Sequence, residues 1–176
     1  MIETMILGFL AEEDLHGYEL RRRMVQLLGF SRPISDGTIY PAINRLIKQG
    51  LVIEEKDKAI AGRARRRLHL TSLGRERLVE TLRTANGYFI TDPARWFVIL
   101  GFLSQVPDDN DRRAVLQRRL DYISNPIGFF SDQEVPLHRH DVTDKYREGI
   151  YIFARGANQA EKAWLEEMLN GQTTQV

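Results

Sequence analysis

The sequence contains no cysteine among its 176 residues. This absence excludes disulfide bonds, thiolate catalysis, zinc ribbons and iron–sulfur clusters, and it agrees with a reducing compartment. The chain also lacks an apolar run of the roughly 18 residues that a membrane helix needs, since its densest apolar stretch, residues 96–103, is interrupted by Gly101. The opening Met1-Ile2-Glu3 lacks the basic segment of a secretory signal. We therefore expect a cytoplasmic protein without a membrane partner.

The sequence is equally poor in the short motifs of enzymes. It contains no Gly-x-Ser-x-Gly, Gly-x-x-x-x-Gly-Lys, His-Glu-x-x-His or Gly-x-Gly-x-x-Gly. Catalysis by an unfamiliar group of residues is disfavoured by this absence, although not excluded by it. We expect a protein that is not an enzyme and that has no cofactor.

The small net charge of +1 conceals an uneven distribution. Residues 1–84 carry 15 basic and 11 acidic side chains, whereas residues 85–176 carry 10 basic and 13 acidic ones. An excess of positive charge in one half favours binding of a polyanion by that half. Chance gives such an imbalance too, so its meaning depends on the motifs.

The order of patterns in residues 1–87 predicts a winged helix-turn-helix. Three segments with helical spacing of apolar residues come first, and a stop at Gly50 follows the third. Two short segments with strand character, residues 51–56 and 67–70, then flank a basic loop, and Thr71 caps a fourth helix. The expected fold is mainly α with a small β-hairpin wing.

Residues 92–176 predict a separate helical domain. Asp92-Pro93 begins a helix that is apolar nearly all round, and another helix follows Pro107 and ends at Asn125-Pro126. A long helical pattern from about Asp141 to Asn170 has apolar residues at close to heptad spacing, which is typical of a helix that packs on another chain. Pairing within the chain is the alternative. We expect homodimerisation through a set of residues in this helix: Tyr146, Phe153, Ala157 and Trp164.

The third predicted helix has a polar face opposite its apolar stripe. Such a face suits a DNA major groove, where Arg45 can bind guanine and Asn44 adenine through paired hydrogen bonds. Thr38 and the backbone N–H of Gly37 lie at the helix start, which suits a phosphate. An ordinary solvated face is the alternative interpretation. The face comprises Gly37, Thr38, Tyr40, Pro41, Asn44, Arg45 and Lys48.

The loop between the two predicted strands concentrates positive charge. Six basic residues stand against the single acidic Asp57 between positions 56 and 67, and like charges at one hairpin tip repel one another unless phosphates approach. A solvated loop is again the alternative. We expect this wing to contact DNA, above all through Arg63, Arg65 and Arg66.

Several motifs in residues 2–85 together resemble the PadR family of bacterial transcriptional regulators. The matching segments are His16-Gly17-Tyr18-Glu19-Leu20, Gly37-Thr38-Ile39-Tyr40-Pro41-Ala42, Leu46-x-x-Gln49-Gly50-Leu51-Val52, the wing Gly62-Arg63-Ala64-Arg65-Arg66-Arg67, and Leu70-Thr71-Ser72-Leu73-Gly74-Arg75. Asp36 departs from the pattern, because family members commonly have proline there. The C-terminal half resembles the helical module of the virulence-activator branch more loosely.

The resemblance implies a dimeric regulator that binds double-stranded DNA, with Tyr18, Thr38, Tyr40 and Pro41 near the DNA. Some family members bind small aromatic effectors. In this chain the aromatic content of the C-terminal half makes Trp96 and Phe97 candidates for an effector pocket, and packing in the core or dimer interface is the first explanation of that content. A winged helix used only for protein docking is the alternative function. The cluster of His138, His140, Asp141 and Asp144 has ligand-like spacing but is interpreted as a helix start, so no metal is expected.

Overall fold

The computed structural model describes residues 1–29, 35–56, 66–124, 131–132, 135–136 and 139–171. The chain divides into two compact units, Met1–Arg112 and Arg113–Val176. Among the described residues, no helix is long and apolar enough to cross a membrane.

The first unit contains the predicted helices and strands, together with two short elements that the pattern did not predict. The unpredicted elements are β1, a two-residue strand, and α5, a single helical turn. The elements that lie wholly in this unit are α1 (Ile2–Glu12), β1 (Leu15–His16), α2 (Gly17–Leu28), α3 (Asp36–Lys48), β2 (Val52–Lys56), β3 (Arg66–Leu70), α4 (Ser72–Arg83), α5 (Tyr88–Thr91) and α6 (Pro93–Phe102). Helices on a small three-stranded sheet confirm the winged helix-turn-helix fold.

The sheet has one strand more than the hairpin that was predicted. Its order is β1-β3-β2, and both pairings are antiparallel. The extra strand lies between the first two helices, where Leu15 pairs with Leu68 and His16 with Arg67. Two residues are too few to show an alternating pattern, so this strand left no signal in the sequence. Its consequence is that the base of the wing is held against the start of α2.

Buried aliphatic side chains from α1, α2, α3 and α4 form the core of the winged helix. The apolar stripe predicted for the third helix is confirmed, because its central residues are less than 5% exposed. Gly50 follows this helix with a φ of 72°, and its N–H donates to the carbonyl of Ile47, as expected of a glycine that ends a helix. The most buried side chains of this core are Met5, Ile6, Leu20, Met24, Ile39, Leu46, Leu78 and Leu82.

Helix α6 packs on the winged-helix core within the same compact unit. The rings of Phe9 and Phe102 meet edge to face, with centroids 4.9 Å apart. The Phe102 ring also covers Gly8 so closely that a Cβ there would lie 2.5 Å from it. Asp92 caps this helix by accepting from the N–H of Arg95, and Pro93 is its first residue, as predicted.

The second unit is built on two helices, α7 (Asp109–Ser124), of which all but the first turn lies in this unit, and α8 (Lys145–Asn170). Two two-residue strands, β4 (Ser131–Asp132) and β5 (Val135–Pro136), pair antiparallel between them, where an irregular segment was predicted. The long helix starts four residues later than predicted, because Asp144, not Asp141, caps it by accepting from the N–H groups of Tyr146 and Arg147. Asp141 ends a short 3₁₀ turn instead.

Helix α8 has two distinct faces. One face packs within its own chain and buries Tyr151 and Leu165. The predicted apolar stripe lies about 100° further round the helix, by the rotation of 100° per residue, and it is largely exposed. The members of the predicted stripe within α8 are Tyr146, Gly149, Phe153, Ala157, Ala160, Trp164 and Met168, and Ile150 is exposed beside them.

Candidate nucleic-acid interface

The polar face of α3 is exposed along its whole length. The structure confirms that the predicted residues of this face point away from the apolar core, since each of them is exposed while Ile39, Ala42 and Leu46 are buried. Pro41 lies on the exposed side of a continuous helix, where its missing N–H leaves the core untouched. The face presents Gly37, Thr38, Tyr40, Pro41, Asn44, Arg45 and Lys48.

The angular position of each residue around the helix axis shows how directly its side chain points away from the core. Relative to the middle of the buried stripe, Pro41, Asn44 and Lys48 point within about 40° of the opposite direction. Arg45 and Thr38 lie on one flank of the face and Tyr40 on the other. The centre of the face therefore offers an amide and an ammonium group, and the guanidinium stands beside them.

Both flanks of α3 are held by neighbouring elements. The Nε of Arg45 donates to Oε1 of Glu3 in α1 at 3.0 Å, and both side chains are substantially exposed. On the other flank, Tyr40 lies over Gly17, where an added Cβ would be 3.2 Å from the ring. At the helix start, the hydroxyls of Ser35 and Thr38 are 3.0 Å apart. These contacts fix the edges of the polar face relative to α1 and α2.

Tyr18 stands at the start of α2 as part of a small network. Its ring, 53% exposed, stacks nearly parallel on the ring of His16, with centroids 5.9 Å apart. Its hydroxyl donates to Oε1 of Glu19 at 3.1 Å, while Oε2 of the same carboxylate accepts from the backbone N–H of His16 at 3.0 Å. These hydrogen bonds, the backbone one first, lower the pKa of the Glu19 carboxyl below its usual value.

The base of the wing joins this network. The buried imidazole of His16 places Nδ1 3.0 Å from the carbonyl oxygen of Arg66, the first residue of β3. The Arg66 side chain extends into solvent and donates to Glu54 across the hairpin at 3.0 Å. Arg63 and Arg65, the other two wing residues predicted to contact DNA, lie outside the described residues. The structure thus brings Tyr18, Tyr40 and the backbone of Arg66 to one corner of the winged helix.

Sequence reasoning missed two residues of this surface. His16 stands in the matching motif His16-Gly17-Tyr18-Glu19-Leu20, but no role at this surface was predicted for it, and Glu3 was not singled out at all. Each acts through a contact to a residue more than 40 positions away, so local spacing carries no signal for it. Only the three-dimensional packing of α1 on α3, and of β1 on β3, brings the partners together.

The remaining predicted site residues are dispersed. Trp96 is fully buried whereas its neighbour Phe97 is 54% exposed, so the structure does not place the two effector candidates on one surface. Asp144 serves as a helix cap, and its pKa is lowered by the backbone N–H groups of Arg147 and Tyr146. Among the described residues no group of three or more acidic or histidine side chains could hold a metal ion; His138 and the side chain of His140 lie outside that description.

An exposed polar helix beside a β-hairpin whose connecting sequence is basic, on a core of four helices, defines the class of winged helix-turn-helix proteins. Comparison with known sequences narrows the class. The family model described as the transcriptional regulator PadR-like family matches residues 6–80. The transcriptional regulator Rv3488 of Mycobacterium tuberculosis is 36% identical over 82 residues, which are 47% of this chain and 73% of that protein.

The chain therefore belongs to the PadR-like family of transcriptional regulators, which bind DNA and are not enzymes. Two solved structures are also similar. The PadR protein of Bacillus subtilis in complex with operator DNA is 18% identical, with 96% of this chain and 98% of that one covered and a TM-score of 0.48. A PadR family regulator of Clostridium difficile is 27% identical, with 44% and 78% covered and a TM-score of 0.38. Family membership depends on the sequence matches rather than on these scores.

Proposed function

We propose that the chain forms a homodimer that binds a pseudo-palindromic promoter site in the cytoplasm. The observation that carries this proposal is the exposed polar face of α3 beside the basic wing, in a member of a DNA-binding family. Residues 1–87 act as the DNA-binding part and residues 92–176 as the dimerisation part. The two α3 helices occupy successive major grooves, about 34 Å apart along the duplex.

Base recognition in this proposal belongs to α3. Thr38, Asn44 and Arg45 contact base edges, with Arg45 matched to guanine and Asn44 to adenine. The N–H of Gly37 at the helix start and the ammonium group of Lys48 contact phosphates. Tyr18, Tyr40 and Pro41 border the same surface. These assignments are supported by exposure and by side-chain chemistry.

In this proposal the wing supplies the part of the affinity that does not depend on the DNA sequence. Arg63, Arg65 and Arg66 bind phosphates or enter the adjacent minor groove. Arg66 is suited to this role because its guanidinium is largely exposed at the base of the hairpin. Neutralising phosphates releases counterions, so the wing makes binding strongly dependent on salt.

The experiment that tests the division of roles compares two variants on an operator identified upstream of the protein's own gene. Arg45→Ala should lose about 1–3 kcal/mol on the operator and relax the preference at one base pair. Replacing Arg65 and Arg66 by alanine should weaken binding to all sequences and flatten the salt dependence. Equal effects of both variants on every sequence, or full retention of binding by both, would contradict the assignment, and absence of operator binding by the parent protein would favour a protein-docking module.

The dimer in this proposal forms through the exposed stripe of α8. Phe153 and Tyr146 are 79% and 75% exposed. Exposing such rings to water does not stabilise a single chain, so an exposed apolar stripe of this kind favours a contact with a second chain. Ala157 lies between them and Trp164 and allows close approach of a second helix. Phe153→Asp should convert the dimer to monomer in sedimentation equilibrium, whereas Arg155→Asp, on a neighbouring exposed position, serves as the control. A monomeric parent protein at micromolar concentration would contradict the interface.

A small aromatic effector belongs to the proposal as a regulator of the distance between the two α3 helices. Phe97 is the accessible one of the two candidate residues. The measurement is operator affinity in the presence of a panel of phenolic acids, for the parent protein and for Phe97→Ala. Unchanged affinity throughout would remove the effector from the proposal.

A further inference from the structure

The wing and the start of α2 are connected through one side chain. His16 is 8% exposed, and its Nδ1 reaches the carbonyl oxygen of Arg66 at 3.0 Å. A carbonyl oxygen only accepts hydrogen bonds, so this contact is a hydrogen bond in the tautomer that carries its proton on Nδ1. The bond spans 50 residues of sequence and closes the pairing of β1 with β3 at its outer end.

The same residue also supports Tyr18. The imidazole stacks against the Tyr18 ring. The backbone N–H of His16 donates to the Glu19 carboxylate, which also accepts from the Tyr18 hydroxyl. Gly17, the next residue, lies under the Tyr40 ring of α3. Three parts of the proposed DNA surface thus depend on the position of His16-Gly17.

We propose that His16 is a positioning residue that fixes the wing relative to α3. This inference depends on the proposed function, because it assigns to His16 the spacing between the phosphate contacts of the wing and the groove contacts of α3. Val52 and Leu68 are buried and hold the inner part of the hairpin in the core, whereas its Arg66 end would be free to pivot if only backbone pairing held it. The Nδ1 donor removes this freedom before DNA arrives, so less ordering is needed on binding.

Two substitutions distinguish the role of the Nδ1 hydrogen-bond donor from the role of the imidazole ring. In His16→Asn the side-chain amide nitrogen takes the place of Nδ1 and can donate to Arg66, whereas His16→Ala has no donor. We expect His16→Ala to lose operator affinity by about three- to tenfold, the range for one hydrogen bond, and to lower the salt slope by about one phosphate. His16→Asn should recover most of both. Equal losses in the two variants would overturn the role of the donor.

A double-mutant cycle tests whether His16 acts through the wing. Arg66→Ala keeps the carbonyl but removes a proposed phosphate contact, so its effect on affinity should be smaller in the His16→Ala background than in the parent. The matched control is Thr71→Ala, which removes the α4 cap at the other end of β3 and should combine with Arg66→Ala additively. Additive effects in both cycles would reduce His16 to an ordinary structural residue and overturn the proposal.

A measurement without DNA keeps this inference separate from the proposed function. Amide hydrogen exchange at Arg66 and Arg67 reports opening of the wing base. Exchange there should be faster in His16→Ala than in the parent and restored in His16→Asn, even if the parent protein binds no operator. Unchanged exchange in His16→Ala would overturn the inference, whereas absence of operator binding by the parent protein would contradict the proposed function alone.

Discussion

The guanidinium of Arg45 is hydrogen-bonded to Glu3: its Nε donates to Oε1 of Glu3 at 3.0 Å. Glu3 belongs to the first turn of α1 and Arg45 to the last part of α3, and both helices are fixed through buried neighbours such as Met5 and Leu46. The hydrogen bond at Nε sets the plane of the guanidinium and points its two Nη groups away from Glu3. A pair of parallel donors of this kind is what guanine O6 and N7 accept.

The first prediction concerns Glu3→Gln. Removing a negative charge beside the proposed DNA surface should raise affinity for all duplexes, because a carboxylate there would repel phosphates. Discrimination at the base pair that Arg45 is proposed to contact should fall, because the guanidinium loses its charged partner and its fixed plane. The measurement is fluorescence anisotropy with the operator and with single-base variants.

The control for this prediction is Glu76→Gln, which removes the same charge from an exposed position on α4. It should leave base discrimination intact. If Glu3→Gln tightened operator and variant sites by the same factor, Glu3 would act as a general repulsive charge and not as an orienting group.

The sequence predicted helices α1 to α4 of the first unit because their apolar spacing is local. The polar face of α3 followed from the same spacing, since identifying the buried side of a helix also identifies its exposed side. The order of elements then predicted the winged helix. Each of these inferences uses residues within a few turns of each other.

The sequence could not predict the contacts that tie this face to the rest of the unit. Glu3 and Arg45 are 42 residues apart, and His16 and Arg66 are 50 apart. Such pairs form because buried surfaces elsewhere bring the helices and strands together. For α8, the heptad spacing correctly indicated an apolar stripe, but the face that packs within the chain, with Tyr151 and Leu165, is a different one, so the alternative of pairing this stripe within the chain is not what the structure shows.

The second prediction concerns Gly74 in the first turn of α4. A Cβ at this position would lie 2.1 Å from the carbonyl oxygen of Leu51, which is backbone and cannot move aside. Gly74→Ala should therefore destabilise the first unit by about 1–3 kcal/mol, although alanine is intrinsically better in a helix. Thermal unfolding followed by circular dichroism measures the effect.

The matched control is Gly156→Ala in α8. An added Cβ there meets nothing within 4 Å, so helix propensity alone should act, and it should stabilise α8 by about 0.5–1 kcal/mol. A stabilising effect of Gly74→Ala would show that α4 can shift away from Leu51 at little cost.

The third prediction concerns pH and Glu19. Its pKa is lowered in the folded protein, chiefly by the hydrogen bond from the His16 backbone and also by the Tyr18 hydroxyl. The carboxylate therefore stabilises the fold fully above the unfolded-state value near 4.5, and this contribution is lost as the pH falls through the lowered value. Glu19→Gln should destabilise the protein near neutral pH, and its difference from the parent should shrink in acid.

Unfolding by denaturant at a series of pH values from about 6 to 3 measures this difference. Glu76→Gln again supplies a charge control. A difference between Glu19→Gln and the parent that is independent of pH would contradict the ionic origin of the contribution.

The fourth prediction concerns the ion pair that joins α7 to α8. Arg119, whose side chain is 5% exposed, donates through Nε and Nη2 to the two carboxylate oxygens of Glu161, both at 2.7 Å. Glu161→Gln leaves a cation that cannot deprotonate in a nearly dry site. We expect a loss of about 2–4 kcal/mol in the second unit, below the full range for a buried pair because Glu161 is 20% exposed.

Arg119→Met should cost less than Glu161→Gln, because the remaining carboxylate reaches water and can bind a proton. Combining Arg119→Met with Glu161→Leu should recover much of the loss, since an apolar pair of similar volume removes both buried charges. The measurement is the free energy of unfolding of the second unit for Glu161→Gln, Arg119→Met, Glu161→Leu and the double variant, and additivity is judged against the two single substitutions that the double variant combines. Purely additive losses in the double variant would mean that the two charges are stabilised separately by solvent, and the pairing seen in the structure would then contribute little to holding α8 on α7.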